Sequence, residues 1–417
     1  MDETRPPPAD RTALSAVRDR LREVVDPIDR TEMLPVSTAV GRPLADSIVA
    51  RRSVPHYDQA AHDGFAVRAA DTAEADGSDA TLFDIDDRAG PDGNGRLGPE
   101  TAVRVDAGDE LPEGADAVVA LGDGLRHGNG LRTVAEGEVA VERSVEAGTG
   151  VRPAGADVAV EEVVRPAGHR LRPSDPALCT AVGRTRVEVV QRPTVGVVPT
   201  GGGLVSGDPG SGAVVETNGT TVSGFVERWG GKVTYRDPVS TDPHALRAAV
   251  QRDLTKDLLV TVGATGQGES DIVGSVIADL GEVLVDGVAL EPGGTTTLSV
   301  VQGRPVLSVP GGPVAAFVAT VQFVGPAVTR LAGRGPPVPV TVDAELDAAV
   351  DGDRGVASVR PVEFVGGGVG TDRTVRPVDD EPLSTLARAD GWVRLSPGTE
   401  SVRAGETVSV ERREETV

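Results

Sequence analysis

Three apolar runs in the middle of the chain each stop at a glycine-rich loop. Thr194–Val198 runs into PTGGGLVSGDPGSG, Leu258–Val262 into GATGQGES, and Val306–Val309 into PGGP. Between them lie stretches of helical periodicity. One spans Gly219 to Trp229 with Asn218 as its candidate cap. A second runs from a cap at Asp242 to about Asp253, and a third from about Asp271 to Leu280. A long apolar helix ends at about Leu331, and Lys232–Tyr235 adds a further strand. Strands alternating with helices specify a mostly parallel sheet covered on both faces. In such sheets ligands bind beyond the carboxyl ends of the strands, where these loops lie.

The flanks read differently. Residues 9–30 carry Ala13, Leu14, Val17, Leu21 and Val24 or Val25 at helical spacing, which predicts a helix ended by Asp26-Pro27. Residues 31–52 read as a strand and then a short helix. From 53 to about 145 short apolar stretches alternate with Gly, Asp and Asn turns, a β-rich texture, with 86–100 as loop. Short strands follow to 190, with a helix around Pro176–Val182. Beyond the break GRGPPVP (333–339), alternating Val and polar residues predict a small β-barrel or sandwich. The fold class is therefore α/β plus β-rich modules in a multidomain chain, ending in a small β-barrel. The expected domains are 1–52 with 145–185, a helical and β linker domain; 53–144, β-rich; 186–332, α/β; and 336–417, the barrel.

Composition narrows the function. The 417 residues carry a formal net charge of −23, and 39 of the 41 basic residues are arginine, the lysines being Lys232 and Lys256. Without clustered basic residues the chain is a poor nucleic-acid binder, because phosphate neutralisation needs local positive charge. No apolar stretch approaches the ~20 residues of a membrane span, and the acidic, Pro-rich N-terminus does not read as a signal peptide. The single Cys179 allows no intrachain disulfide and fits a cytoplasmic location. Abundant acid, scarce lysine and only ten aromatic residues read as adaptation to molar salt, where charge repulsion is screened.

Several chemistries drop out. Five histidines without ligand spacing and one cysteine do not make a structural zinc site. No GxSxG elbow occurs, and GGGLVSG is neither a Walker loop nor a dinucleotide fingerprint. What remains is the loop Gly263–Asp271, whose backbone N–H groups suit an anion at a helix N-terminus. There Asp271 could hold a hard divalent cation; the same residues also fit a tight turn with Asp271 as N-cap. Pro310-Gly311-Gly312-Pro313 reads equally as a ligand loop or a helix start. Tyr57–Val67 gathers His62, Asp58, Asp63, Tyr57 and Phe65 in a chain poor in aromatics, which points to function.

These residues carry a family resemblance. Val54-Pro55-His56-Tyr57-Asp58 with Ala61-His62-Asp63-Gly64-Phe65-Ala66-Val67-Arg68 resembles the "VP.(F/Y)D.SAMDGYAVR" signature of the molybdopterin molybdotransferases. Those enzymes insert molybdenum in molybdenum-cofactor biosynthesis, and a eukaryotic relative forms part of gephyrin. The likeness continues through Leu111–Val118, Val151–Val158, Glu216-Thr217-Asn218, Asp242–Leu246, the loop ending in Asp271, and Pro310–Pro313. It implies an elongated, four-part homodimer in the cytoplasm, with 186–332 as the molybdopterin-binding domain. Adenylylated molybdopterin and molybdate would be the substrates, AMP would be released, and a divalent cation, magnesium, would take part.

By the same resemblance Asp63 would be catalytic, supplied across the subunit boundary. Glu216, Thr217, Asn218, Asp242, Gly263, Gly266, Gly268, Ser270, Pro310 and Pro313 would bind substrate, and Asp271 the metal. The chain departs from the family pattern at several of its charged positions. Where the family has "STGDEL" it has Pro199-Thr200-Gly201-Gly202-Gly203-Leu204. The two lysines of "(K)PGKP" are Glu291 and Gly294, a third is Gly274, and the threonine of "TGAP" is Ala107. Salt adaptation would keep such charges as arginine. The departures imply an alternative: a non-catalytic paralogue that binds pterin, or a carrier or scaffold pairing as a heterodimer with an intact homologue.

Overall fold

The computed structural model describes residues 11–86, 96–121, 131–135, 137–266, 272–366, 373–412 and 414. The chain divides into two compact units, Met1–Thr31 with Val190–Val417, and Glu32–Val189.

The first unit is built on a six-stranded sheet of β1 (Thr194–Pro199), β2 (Lys232–Tyr235), β3 (Leu258–Val262), β4 (Glu282–Asp286), β5 (Thr297–Val301) and β6 (Arg304–Val309), in the order β2-β1-β3-β6-β5-β4. The pairs β2–β1, β1–β3 and β3–β6 are parallel, while β6–β5 and β5–β4 are antiparallel. Residues of β3 alternate between two cores. Leu258, Val260 and Val262 face one, and Leu259 the other. In β1, Val195 and Val197 face the first core and Val198 the second. Strands covered on both faces are apolar at nearly every position, so these runs show no polar alternation, the small hydroxyls of Thr261 and Ser308 being buried exceptions.

Helices α1 (Asn218–Arg228) and α4 (Pro313–Leu331) cover one face, and α2 (Pro243–Asp253) and α3 (Val273–Leu280) the other. Helix α4 passes through a π turn at Thr320–Val324. It is long and apolar enough to cross a membrane, which corrects the expectation that no stretch is, but 78% of it is buried in this unit as a core helix. The Leu14–Val24 helix packs Val17 and Leu21 into the same core.

The barrel is closed. Ala357–Gly366 pairs with Thr374–Pro377, which pairs with Val340–Leu346, then Thr407–Arg412, then Gly391–Leu395, which returns to Ala357–Gly366. Its interior holds Leu346, Val362, Val375, Val393 and Val410. The short strand Leu290–Glu291 adds to Ala357–Gly366, so the segment leaving the α/β sheet is stitched to the barrel. An aromatic stack joins the same layers. The Phe317 ring of α4 lies 4.6 Å from Trp392 of the barrel and 5.4 Å from Phe225 of α1, which lies 5.2 Å from Trp229.

The second unit carries a six-stranded sheet ordered Ala117–Ala120, Gly64–Val67, Thr101–Val105, Asp76–Ile85, Glu138–Arg143, Leu131–Ala135. Gly64 is required there because a Cβ would meet the Val119 carbonyl oxygen at 2.2 Å. A helix at Asp175–Ala181 is anchored by the buried Asp175 carboxylate, which accepts from Arg172 N (2.7 Å), His169 Nε2 (2.8 Å) and Arg165 Nε (2.8 Å).

Four expectations need correction. The first helix is Leu14–Val24, because Val25 is already extended at φ −113°. Residues 31–52 form strands Thr31–Pro35 and Ile48–Val49 joined by turns, with no short helix. Asn218 is not the cap of α1 but its first residue, with Thr217 before it. The third helix starts at Val273, and the expected loop 86–100 lies largely outside the described residues, which omit 87–95.

Two outcomes test this packing. Phe317→Ala lowers stability by about 3–5 kcal/mol, read from denaturant unfolding, because a nearly sealed ring leaves a cavity between α4 and the barrel. Burial alone would raise the Asp175 pKa, but the Arg172 amide, His169 and Arg165 hold it down, at about 2 against 3.8. A depressed folded pKa stabilises above the unfolded value, and that contribution is lost as pH falls through the folded one. Asp175→Asn therefore costs about 2 kcal/mol at neutral pH, and its gap to the parent closes between pH 4 and 2 in urea titrations.

Candidate functional site

The parallel strands β1, β3 and β6 lie side by side and end together, so their loops meet. Thr200 N donates to Val262 O at 2.8 Å, and Gly263 N donates to Val309 O at 2.9 Å. The fit is backbone against backbone. Gly263 has φ +96°, and a Cβ there would lie 2.5 Å from Thr200 O, while the Gly311 Cα sits 3.8 Å away. Any side chain at 263 would force the strand ends apart. The loops enclose a pocket of about 360 Å³, within the range of small-molecule sites.

The first turn of α1 forms its second wall. Glu216 is buried, accepts from Gly219 N at 2.6 Å through Oε1, and accepts from the Tyr235 hydroxyl through Oε2. Burial first, and then the bond and charge of Glu216, push the Tyr235 phenol up to about 12, so it stays a donor. Gly219 permits this, since a Cβ would meet Pro199 Cγ and Tyr235 Cε2 at 2.8 Å. Asn218 Nδ2 donates to Gly311 O at 2.6 Å, tying the start of α1 to the β6 loop. Thr265 Oγ1 and Thr295 Oγ1 are hydrogen-bonded at 3.0 Å, which joins the β3 loop to the segment after Glu291.

Of the residues singled out in the sequence, Glu216, Thr217, Asn218, Gly263 and Pro313 line this pocket together. Asp242 is outside it and caps α2, accepting from His244 N at 3.1 Å. Pro310 and Gly266 are not among its lining residues; Pro310 is buried behind it. Gly268, Ser270 and Asp271 lie outside the described residues. Asp63 belongs to the other unit, where its Oδ1 accepts from Ala107 N at 2.8 Å. Sequence reasoning missed Tyr235 and Thr200. Tyr235, one of two tyrosines, at the end of a strand of that sheet, was the available signal.

Family models match nearly the whole chain in succession: the MoeA N-terminal region (domain I and II) over residues 12–183, a probable molybdopterin binding domain over 182–330, and the MoeA C-terminal region (domain IV) over 344–412. A molybdopterin molybdenumtransferase 1 of Mycobacterium tuberculosis is 31% identical over 403 residues, spanning 90% of this chain and 93% of the relative. The chain belongs to the molybdopterin molybdenumtransferase family. The Bacillus subtilis molybdopterin molybdenumtransferase is 29% identical over 393 residues, 91% of this chain and 89% of its own length. The crystal structure of a molybdopterin biosynthesis MoeA protein from Pyrococcus horikoshii superposes with a TM-score of 0.83 at 27% identity, covering 97% of this chain and 99% of that one.

Against that family the loop at 291–295 has a local explanation. Arg11, on the segment before the first helix, is buried, and its Nη1 lies 3.6 Å from Glu291 Oε2 as an ion pair. A Cβ on Gly294 would stand 2.4 Å from that Nη1, 2.9 Å from Cζ and 3.1 Å from Leu290 O. The guanidinium fills the space that a side chain at 294 would need, and it neutralises Glu291 from within. Gly294→Lys alone therefore lowers stability by about 1–3 kcal/mol. Adding Arg11→Ala restores part of that loss while the same Arg11→Ala is harmful by itself, a sign reversal that thermal denaturation of the double-mutant cycle reads directly.

Proposed function

We propose that the protein acts in molybdenum-cofactor biosynthesis, taking adenylylated molybdopterin into the pocket at the ends of β1, β3 and β6 and inserting molybdenum from molybdate with release of AMP. The observation that carries this reading is the meeting of three glycine loops at a pocket in the region matched by the molybdopterin-binding model. Close backbone approach supports it, since it leaves a cleft lined by glycines and by the small polar side chains of Thr200, Thr217 and Asn218, which suits phosphate and pterin edges. In this reading Glu216, Thr217, Asn218, Gly263 and Pro313 contact substrate. The same reading assigns substrate binding to Asp242, Gly266, Gly268, Ser270 and Pro310 as well, and Asp63 acts at the metal-insertion step. A cytoplasmic homodimer belongs to the same proposal, tested by light scattering of the purified chain.

The divalent cation implied by the family finds no donor set among the described residues. No cluster of three His, Cys, Asp or Glu side chains occurs there, and both Glu216 oxygens are engaged. Asp271 is the proposed ligand.

A specific observation favours the second reading, a pterin-binding paralogue without turnover. Glu216 is the only charged side chain lining the pocket among the described residues, and Arg11 is spent on Glu291. A desolvated cation at a developing oxyanion is worth several kcal/mol in catalysis, and the described lining of this pocket offers none. Molybdate-dependent AMP release from adenylylated molybdopterin separates the two. Turnover above background that falls about 100-fold in Asp63→Asn, with pterin binding retained, supports the enzyme. Tight pterin binding with no AMP release supports the paralogue.

A further inference from the structure

Elsewhere in the first unit lies a second cavity, of about 330 Å³. Five guanidinium groups line it. Arg18 and Arg22 come from the Leu14–Val24 helix, Arg330 from the end of α4, Arg334 from the segment after it, and Arg394 from the barrel. A single carboxylate, Glu411, faces them. In a chain of net charge −23 this is a concentrated reversal of sign.

Two of the arginines have carboxylate partners, Arg22 with Asp19 at 2.6 Å and Arg394 with Glu411, while Arg18 and Arg330 are held by neutral acceptors. Arg18 Nη2 donates to the Gln322 amide oxygen at 2.5 Å, and Arg330 Nε donates to the Val25 carbonyl. Both acceptors are neutral. Arg394 Nε lies 3.3 Å from Glu411 Oε1, so that acid is already shared. Burial first, then the nearby charges of Arg394 and Arg22, hold the Arg18 guanidinium below its usual value against the opposing pull of Glu411. Like charges gathered around a partly desolvated cavity repel unless an anion joins them. The remaining wall is apolar: Leu21, Val321, and prolines 326, 336, 337 and 339.

We propose that this cavity binds a small multivalent oxyanion of the phosphate class, carried on an apolar body that lies against the proline wall. Guanidinium forks match phosphate oxygens in pairs, and five of them on converging elements, set against the two carboxylates of Asp19 and Glu411, leave an excess of positive charge that suits a head group with more than one negative charge. The arginines share one cavity rather than a surface track, which favours a small molecule over an acidic polypeptide. Nothing in this proposal depends on the reading of the strand-end pocket.

Calorimetric titration of the full chain tests it, with pyrophosphate as the head-group probe and phenyl phosphate against inorganic phosphate as the probe of the apolar wall. The expected result is saturable pyrophosphate binding that weakens at least about tenfold in Arg22→Gln/Arg394→Gln, both well-exposed side chains whose loss leaves the fold intact by circular dichroism. Phenyl phosphate should bind more tightly than inorganic phosphate. No saturable pyrophosphate binding, or equal binding by the folded double variant, overturns the proposal. So does saturable binding of an oligoglutamate peptide where pyrophosphate shows none.

Discussion

Scarcity of large side chains is the constraint on which the first unit depends. The chain has six Phe, two Trp and two Tyr, and its cores are mostly Val, Ala and Leu, which fill little volume each. Four of those aromatics are spent in one place, Trp229, Phe225, Phe317 and Trp392, where the helical layer over the sheet meets the barrel. Stacked rings there bury more apolar area per residue than any aliphatic pair, so the junction is sealed with few side chains. Gly325 makes room for it, since a Cβ would strike the Trp229 ring at 2.9 Å.

The strand-end pocket follows from the sheet that this junction supports. Parallel neighbours necessarily end at the same edge, and glycine at 263 lets the loops close to backbone contact. Buried Glu216 then fixes the start of α1, by accepting from Gly219 N and from a phenol that stays protonated. Among the described residues the result is a cleft with Glu216 as its one charged group, lined otherwise by glycines and by apolar and small polar side chains.

Much of this was legible in the sequence, and the reasons are physical. Strands β1, β3 and β6 were readable because burial on both faces leaves continuous apolar runs. Strands β4 and β5 were not recognised: Glu282–Asp286 carries acids at both ends, and Thr297–Val301 mixes Thr and Ser with Val and Leu. The cap of α1 was misread because Asn218 bonds across to Gly311 instead of to its own helix, a tertiary choice that no local rule contains. Of the candidate ligands, those on the strand-end loops came together because topology gathers them. Asp242 did not, because its nearest unsatisfied donor is the first turn of α2. Arg11 was invisible for a different reason: nothing in the order of residues says that position 11 fills the space beside position 294.

That contact also limits how the chain can change. A guanidinium from residue 11 and a side chain at residue 294 compete for one volume, so a side chain there displaces the guanidinium from its place beside Glu291. A chain carrying one arrangement reaches the other only through an intermediate with either a clash or an uncompensated Glu291. The loop is thus set by the mutual fit of Arg11, Glu291 and Gly294, and accommodating a lysine at 294 takes a concerted change rather than a single substitution.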